Sequence, residues 1–156
     1  MKNYFEIFSL PVSANLDLED LEQKYLNFQK EFHPDKSSSS DIEKSIAVNE
    51  AFDVLKNNLS RVSHILQLNG IDLEDDTKSP KVDYATLTEV LEICETIPEK
   101  NFEQIEILKK ELNKKIKSLI SQTILKIDEK KFLEAAQILI KAKYFEKTLQ
   151  DLKKRK

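Results

Sequence analysis

Apolar residues recur at steps of three and four along most of this chain of 156 residues, the spacing that gathers side chains on one face of an α-helix. The first segment is apolar at Tyr4, Phe5, Ile7, Phe8 and Leu10 and stops at Pro11, so one or two helical turns fit there. Asp17 is placed to cap the next helix, with Asp20 three positions on as a weaker capping-box analogue. Leu18, Leu21, Tyr25, Phe28 and Phe32 then form one apolar face over roughly four turns. Pro34 disfavours the helical conformation at His33, which ends the helix there. A polar loop, 37–40, leads to a third helix from about Asp41, striped by Val48, Ala51, Phe52 and Leu55. Two amphipathic helices joined by a short loop pack as an antiparallel hairpin. Leu59, Val62, Ile65 and Leu66 repeat the helical spacing. Gly70, the single glycine, sits where a helix C-cap needs a left-handed residue.

The pattern lapses at DLEDDTKSPKVD, residues 72 to 83, a polar and acidic stretch that reads as a domain boundary. Beyond it helical spacing resumes. Leu87, Val90, Leu91 and Ile97 make a stripe closed by Pro98. Phe102, Ile105, Leu108, Leu112, Ile116, Leu119, Thr123 and Ile127 follow over roughly seven turns. After a break at Asp128–Lys131 comes a last stripe of Phe132, Ala135, Ala136, Leu139, Ala142, Phe145, Leu149 and Leu152. Three striped helices with short connections make a three-helix bundle.

Composition sharpens this picture mainly by exclusion. One glycine disfavours hairpin-rich β architectures, and the abundance of Leu, Ile, Lys and Glu favours helices. A net charge of -3 does not by itself point to nucleic acid or membrane, and neither is an expected partner. A single cysteine, Cys94, forms no internal disulfide and no four-cysteine metal site. No apolar run approaches the ~18 residues of a membrane span. The stretch MKNYFEIFSLPVS is too broken by polar residues for a signal peptide, so a cytoplasmic protein is expected.

The candidate chemistry lies in FHPDKSSSS, residues 32 to 40. An enzymatic reading of His33 and Asp35 needs a third oriented partner, and a metal site needs three or four ligands. The other histidine, His64, has no acidic neighbour at metal-site spacing, and there is no glycine-rich phosphate loop. No catalytic residue, metal ligand or cofactor is therefore expected. Local physics alone reads the tetrapeptide as a helix stop.

Its setting adds more. HPDK at 33 to 36, preceded by LEQKYLNFQKEF and followed by VNEAFDVLKNNLSR, resembles a J-domain. The resemblance implies a loop that docks on a DnaK/HscA-type chaperone ATPase and stimulates ATP hydrolysis, with His33, Pro34 and Asp35 as the stimulating triplet. An Asp35 carboxylate suits a bidentate contact with a partner arginine. Lys24 and Lys30, where the family usually carries basic residues, suit steering toward an acidic partner, although Glu22 and Glu31 dilute that face. YFEI followed by FSLP, and RVSHILQLNG at 61 to 70, look like the HscB family, the J-domain co-chaperones of iron–sulfur cluster assembly. That narrower resemblance implies a C-terminal bundle that binds the scaffold protein IscU. Matched by position, Leu87, Leu91, Glu92 and Tyr144 are the scaffold-binding candidates. Simple core burial of Leu87 and Leu91 stays open beside that role.

The chain departs from the family pattern at several positions. Asn57 and Asn58 stand where a proline is common, Val62 and His64 where alanine and tyrosine are usual, and Thr88 and Cys94 where Met and Arg are frequent. The zinc-binding cysteines of some eukaryotic relatives are missing, which favours a bacterial-type protein or, as the less favoured case, a mature organellar one. The expectation is an all-α chain: an N-terminal J-domain helical hairpin (1–70), a linker (71–82) and, packed near the hairpin, a C-terminal three-helix bundle (83–156). It would act as a co-chaperone and not as an enzyme. The alternatives are a general J-domain co-chaperone with other clients, or a helical assembly module in which HPDK is only a turn.

Overall fold

The computed structural model describes residues 2–31 and 39–154, and every regular element among them is helical. In chain order these are α1 (Tyr4–Ile7), α2 (Leu18–Glu31), α3 (Ser39–Lys56), α4 (Asn58–Leu68), α5 (Tyr84–Thr96), a 3-10 turn (Ile97–Glu99), α6 (Phe102–Asp128) and α7 (Phe132–Lys153). They gather into two compact units, 1–68 and 69–156.

In the first unit α3 is the central element, with α1, α2 and α4 packed on it. Phe5, Phe8, Leu21, Ala51, Leu55, Val62 and Leu66 form its core. As the sequence predicts, Asp17 caps α2: its Oδ1 accepts the N–H of Glu19 at 3.0 Å and of Asp20 at 3.3 Å. The hairpin is antiparallel. Tyr25 stacks on Phe52 with ring centroids 4.0 Å apart. One turn further along α2, Gln29 donates to Asn49 of α3 at 2.9 Å. Leu18 leaves the expected apolar face and stands nearly half exposed, because it opens the helix and Leu21 takes the inward place of that turn. The third helix begins at Ser39, earlier than the expected Asp41.

A break at Asn57 separates α3 from α4. Asn57 Oδ1 accepts the N–H groups of Leu59 at 2.9 Å and Ser60 at 3.2 Å, so a new helix starts where the apolar spacing alone runs on. Arg61 is buried beside this break. It donates to the carbonyls of Ala14 at 3.1 Å and Leu55 at 2.7 Å, and to Asn58 Oδ1. It thereby ties the loop before α2 to the end of α3. These acceptors are all uncharged, and desolvation lowers the guanidinium's pKa. Past α4, Gly70 has φ +86, the left-handed conformation expected of a helix C-cap.

In the second unit α6 and α7 pair along most of their length and α5 packs on α7. Leu108, Leu112, Ile116, Ile120 and Thr123 of α6 are buried, as are Ala135, Ala136, Leu139, Ala142, Phe145, Leu149 and Leu152 of α7. Asn101 and Gln104 form a reciprocal capping box at the start of α6. Lys130, with φ 61, turns the chain between α6 and α7. Residues 69–82 associate with this unit: Leu73 is buried and Glu74 pairs with Lys143, and directly after them Asp83 pairs with Lys141 at 3.6 Å.

Two sequence expectations change here. Phe102, expected on the α6 core stripe, is 78% exposed at the helix start, while Ile120 is buried. On α5 the inward side runs through Thr86, Val90, Ile93 and Ile97, at steps of four, three and four. Leu87 and Leu91, expected on the same stripe as Val90 and Ile97, point away from that side and are 39% and 54% exposed.

Candidate functional site

The triplet His33, Pro34 and Asp35 lies outside the described residues. What the structure describes is the hairpin on either side of it. The Tyr25 hydroxyl donates to Asn49 Oδ1 at 2.7 Å, and the Gln29 amide shares that acceptor, so two residues of α2 converge on one atom of α3. Lys30 is exposed in the last turn of α2, where its charge also complements the helix dipole. Lys24 is half-buried, and its ammonium donates to the carbonyl of Phe8 at 3.4 Å. Only Lys30 of the two stands clear of the fold.

His64 is buried against α1. Its Nε2 accepts the backbone N–H of Tyr4 at 3.1 Å. Its Nδ1 lies 3.3 Å from Gln67 Oε1, which assigns the ring proton to Nδ1 and leaves the imidazole neutral. The rings of Tyr4 and Phe5 pack on it at 4.7 and 5.9 Å. Burial lowers its pKa below the ordinary value, and the Gln67 contact opposes that shift only in part. This histidine holds the N-terminal turn in place. Among the described residues no group of three or more His, Cys, Asp or Glu side chains is placed to hold a metal ion.

The remaining candidates belong to the second unit. Asp83 caps α5 by accepting the N–H of Thr86 at 3.2 Å. A hydrogen bond from the Thr86 side chain, then that backbone bond and the neighbouring Lys141, hold its carboxyl below its ordinary value. The cap starts a helix whose outward side carries Leu87 and Leu91, with Glu92 exposed beside them. Tyr144 is on α7, the helix on which α5 packs, and is 37% exposed. With Leu73, Pro80, Val82 and Ile140 it lines a shallow cavity of about 320 Å³. The four scaffold candidates thus come from two packed helices of one unit. Sequence reasoning passed over Tyr84, which is 84% exposed at the start of α5. The available signal was an aromatic directly after the capping Asp83 and three residues before Leu87.

Comparison with known proteins bears on both units. The family model described as the HSCB C-terminal oligomerisation domain matches residues 82–153. The co-chaperone protein HscB homolog of Acinetobacter baumannii is 31% identical over 155 residues, covering 97% of this chain and 89% of its own. This chain belongs to the HscB family. The HscB homolog of Shewanella amazonensis is 36% identical over 104 residues, 62% of this chain and 59% of its own. Among solved structures, human co-chaperone protein HscB aligns with a TM-score of 0.86 at 25% identity, over 98% of this chain and 81% of that one. Chaperone HscB from Vibrio cholerae shares the fold, with a TM-score of 0.81 at 24% identity over 97% and 96% of the two chains. Membership makes the chain a co-chaperone, in a family whose members are not enzymes in the usual sense. No helix among the described residues is long and apolar enough to cross a membrane.

Proposed function

We propose that this co-chaperone couples two binding events. Through His33, Pro34 and Asp35, with Lys24 and Lys30 on the adjoining helix, it docks on a DnaK/HscA-type chaperone and stimulates its ATPase. Through Leu87, Leu91, Glu92 and Tyr144 it holds the iron–sulfur scaffold IscU and delivers it to that chaperone for cluster assembly or transfer. The chain performs no chemistry: the phosphate bond breaks in the partner. A bacterial cytoplasm is the setting this reading favours, with an organellar matrix as the alternative.

One observation carries the reading. Leu87 and Leu91 are turned outward on a helix whose inward side is already set by buried Thr86 and Ile97, with Val90 and Ile93 half-buried between them. Leucines that the fold leaves in solvent on a shared side of a helix mark a contact surface. Lys30, exposed at the end of α2, fits electrostatic steering of an acidic ATPase surface toward the triplet that follows it in the chain. The test is ATPase stimulation of an HscA-type chaperone by the chain, alone and with IscU. Stimulation by wild type, its loss in His33→Gln and its increase with IscU support the coupling. Absence of stimulation with any DnaK/HscA-type ATPase overturns it.

A further inference from the structure

Tyr84 is the most exposed of the large apolar side chains among the described residues, at 84%. A single exposed aromatic needs no explanation. Its neighbours do. At about 100° per residue, Tyr84, Leu91 and Glu95 fall near one line along α5, with Leu87 and Thr88 to either side. From Tyr84 to Glu95 that line is roughly 16 Å long. The fold does not use Tyr84: α5 is started by the Asp83 cap, and its buried side runs from Thr86 to Ile97.

The acidic residues along α5 divide into two sets. Asp83 is paired with Lys141 and Glu89 with Lys115, so these two are answered within the bundle. Glu92 and Glu95 are exposed, and neither has a basic partner among the described residues. An apolar stripe bordered by unanswered carboxylates complements a surface that is apolar and rimmed with lysine or arginine.

We propose that Tyr84 is an anchoring residue of the docking face on α5. It extends that face by one turn beyond Leu87 toward the helix start, and the face receives an apolar partner surface carrying lysine or arginine. This rests on the scaffold-binding reading above and adds to it a residue and the partner's chemistry. A tyrosine ring offers a large, rigid contact area at low entropic cost, which is why such residues dominate interface energetics.

The test is titration calorimetry of the full chain with the IscU-type scaffold, comparing wild type, Tyr84→Ala, Tyr84→Phe and Phe102→Ala. Phe102 is matched for exposure at 78% but lies on α6. Tyr84→Ala is expected to keep its helical content and to weaken binding about tenfold, as an anchor does. Tyr84→Phe stays within about twofold of wild type because the ring supplies the contact. Phe102→Ala binds as wild type. Unchanged affinity of Tyr84→Ala, or an equal loss in Phe102→Ala, overturns the anchor and leaves the scaffold reading standing. Wild-type protein that fails to bind the scaffold overturns both.

Discussion

Replacing Leu91 by alanine separates docking from folding. Burying a leucine side chain completely is worth about 1.5–3 kcal/mol. Leu91 keeps 54% of its surface in solvent, so the fold has used somewhat less than half of that. The unused part, about 1–1.5 kcal/mol, is available to a partner. Leu91→Ala should therefore cost the isolated protein about 1 kcal/mol or less in denaturant unfolding. It should also weaken scaffold binding about fivefold to tenfold. A core position behaves differently: Leu149 on α7 is buried, and Leu149→Ala should cost about 2–5 kcal/mol of stability. Urea unfolding and titration calorimetry on the same samples read both quantities. If Leu91→Ala destabilises the protein as much as Leu149→Ala does, the residue is core and the outward assignment is wrong. If its affinity matches wild type while its stability is intact, the residue is outward but idle.

Two further outcomes follow from buried groups of the first unit. His64 has its pKa lowered by burial, so the unfolded chain takes up a proton at a higher pH than the folded one. The stability carried by the neutral ring is complete above about pH 6.5 and slopes away as pH falls toward the folded value. Urea midpoints at several pH values should show this slope in wild type and not in His64→Gln; identical slopes would refute it. Arg61→Met removes donors from the carbonyls of Ala14 and Leu55. Leaving such buried acceptors unpaired costs about 1–3 kcal/mol each, so thermal unfolding should shift down by several degrees. An unchanged midpoint would show that these bonds hold nothing.

How much of this was legible in the sequence depended on how each residue meets its neighbours. The helices of the bundle were, because period-3.6 spacing survives even where single positions are misplaced. The break at Asn57 was legible only through the resemblance, which sets Asn57 and Asn58 where a proline is common, because the apolar spacing continues through it and the capping amide interrupts the helix. The inward side of α5 was misread because it includes Thr86, while the larger Leu87 and Leu91 stand next to it in the chain. Threonine enters these cores when its hydroxyl is satisfied within its own helix. Thr123 donates to the carbonyl of Leu119 at 2.8 Å, and Thr148 to that of Tyr144 at 3.1 Å. Scored as polar, Thr86 dropped out of the α5 stripe and turned that helix the wrong way, whereas Thr123 was kept on the stripe of α6. Leu87, Leu91 and Tyr144 entered by position within a resembled family, and only their exposure distinguishes surface from core. Tyr84 had no such guide, since an aromatic at the first turn of a helix reads equally well as staple or ornament.

The central claim is that one chain stimulates a chaperone ATPase and brings that chaperone its scaffold. It is tested most directly by steady-state ATP hydrolysis of an HscA-type chaperone with this protein, with and without IscU, in wild type and His33→Gln. The account predicts stimulation by wild type that rises when IscU is added, and none by His33→Gln, whose helical content is unchanged. Hydrolysis at the basal rate with wild type and IscU together, or full stimulation by His33→Gln, would contradict it.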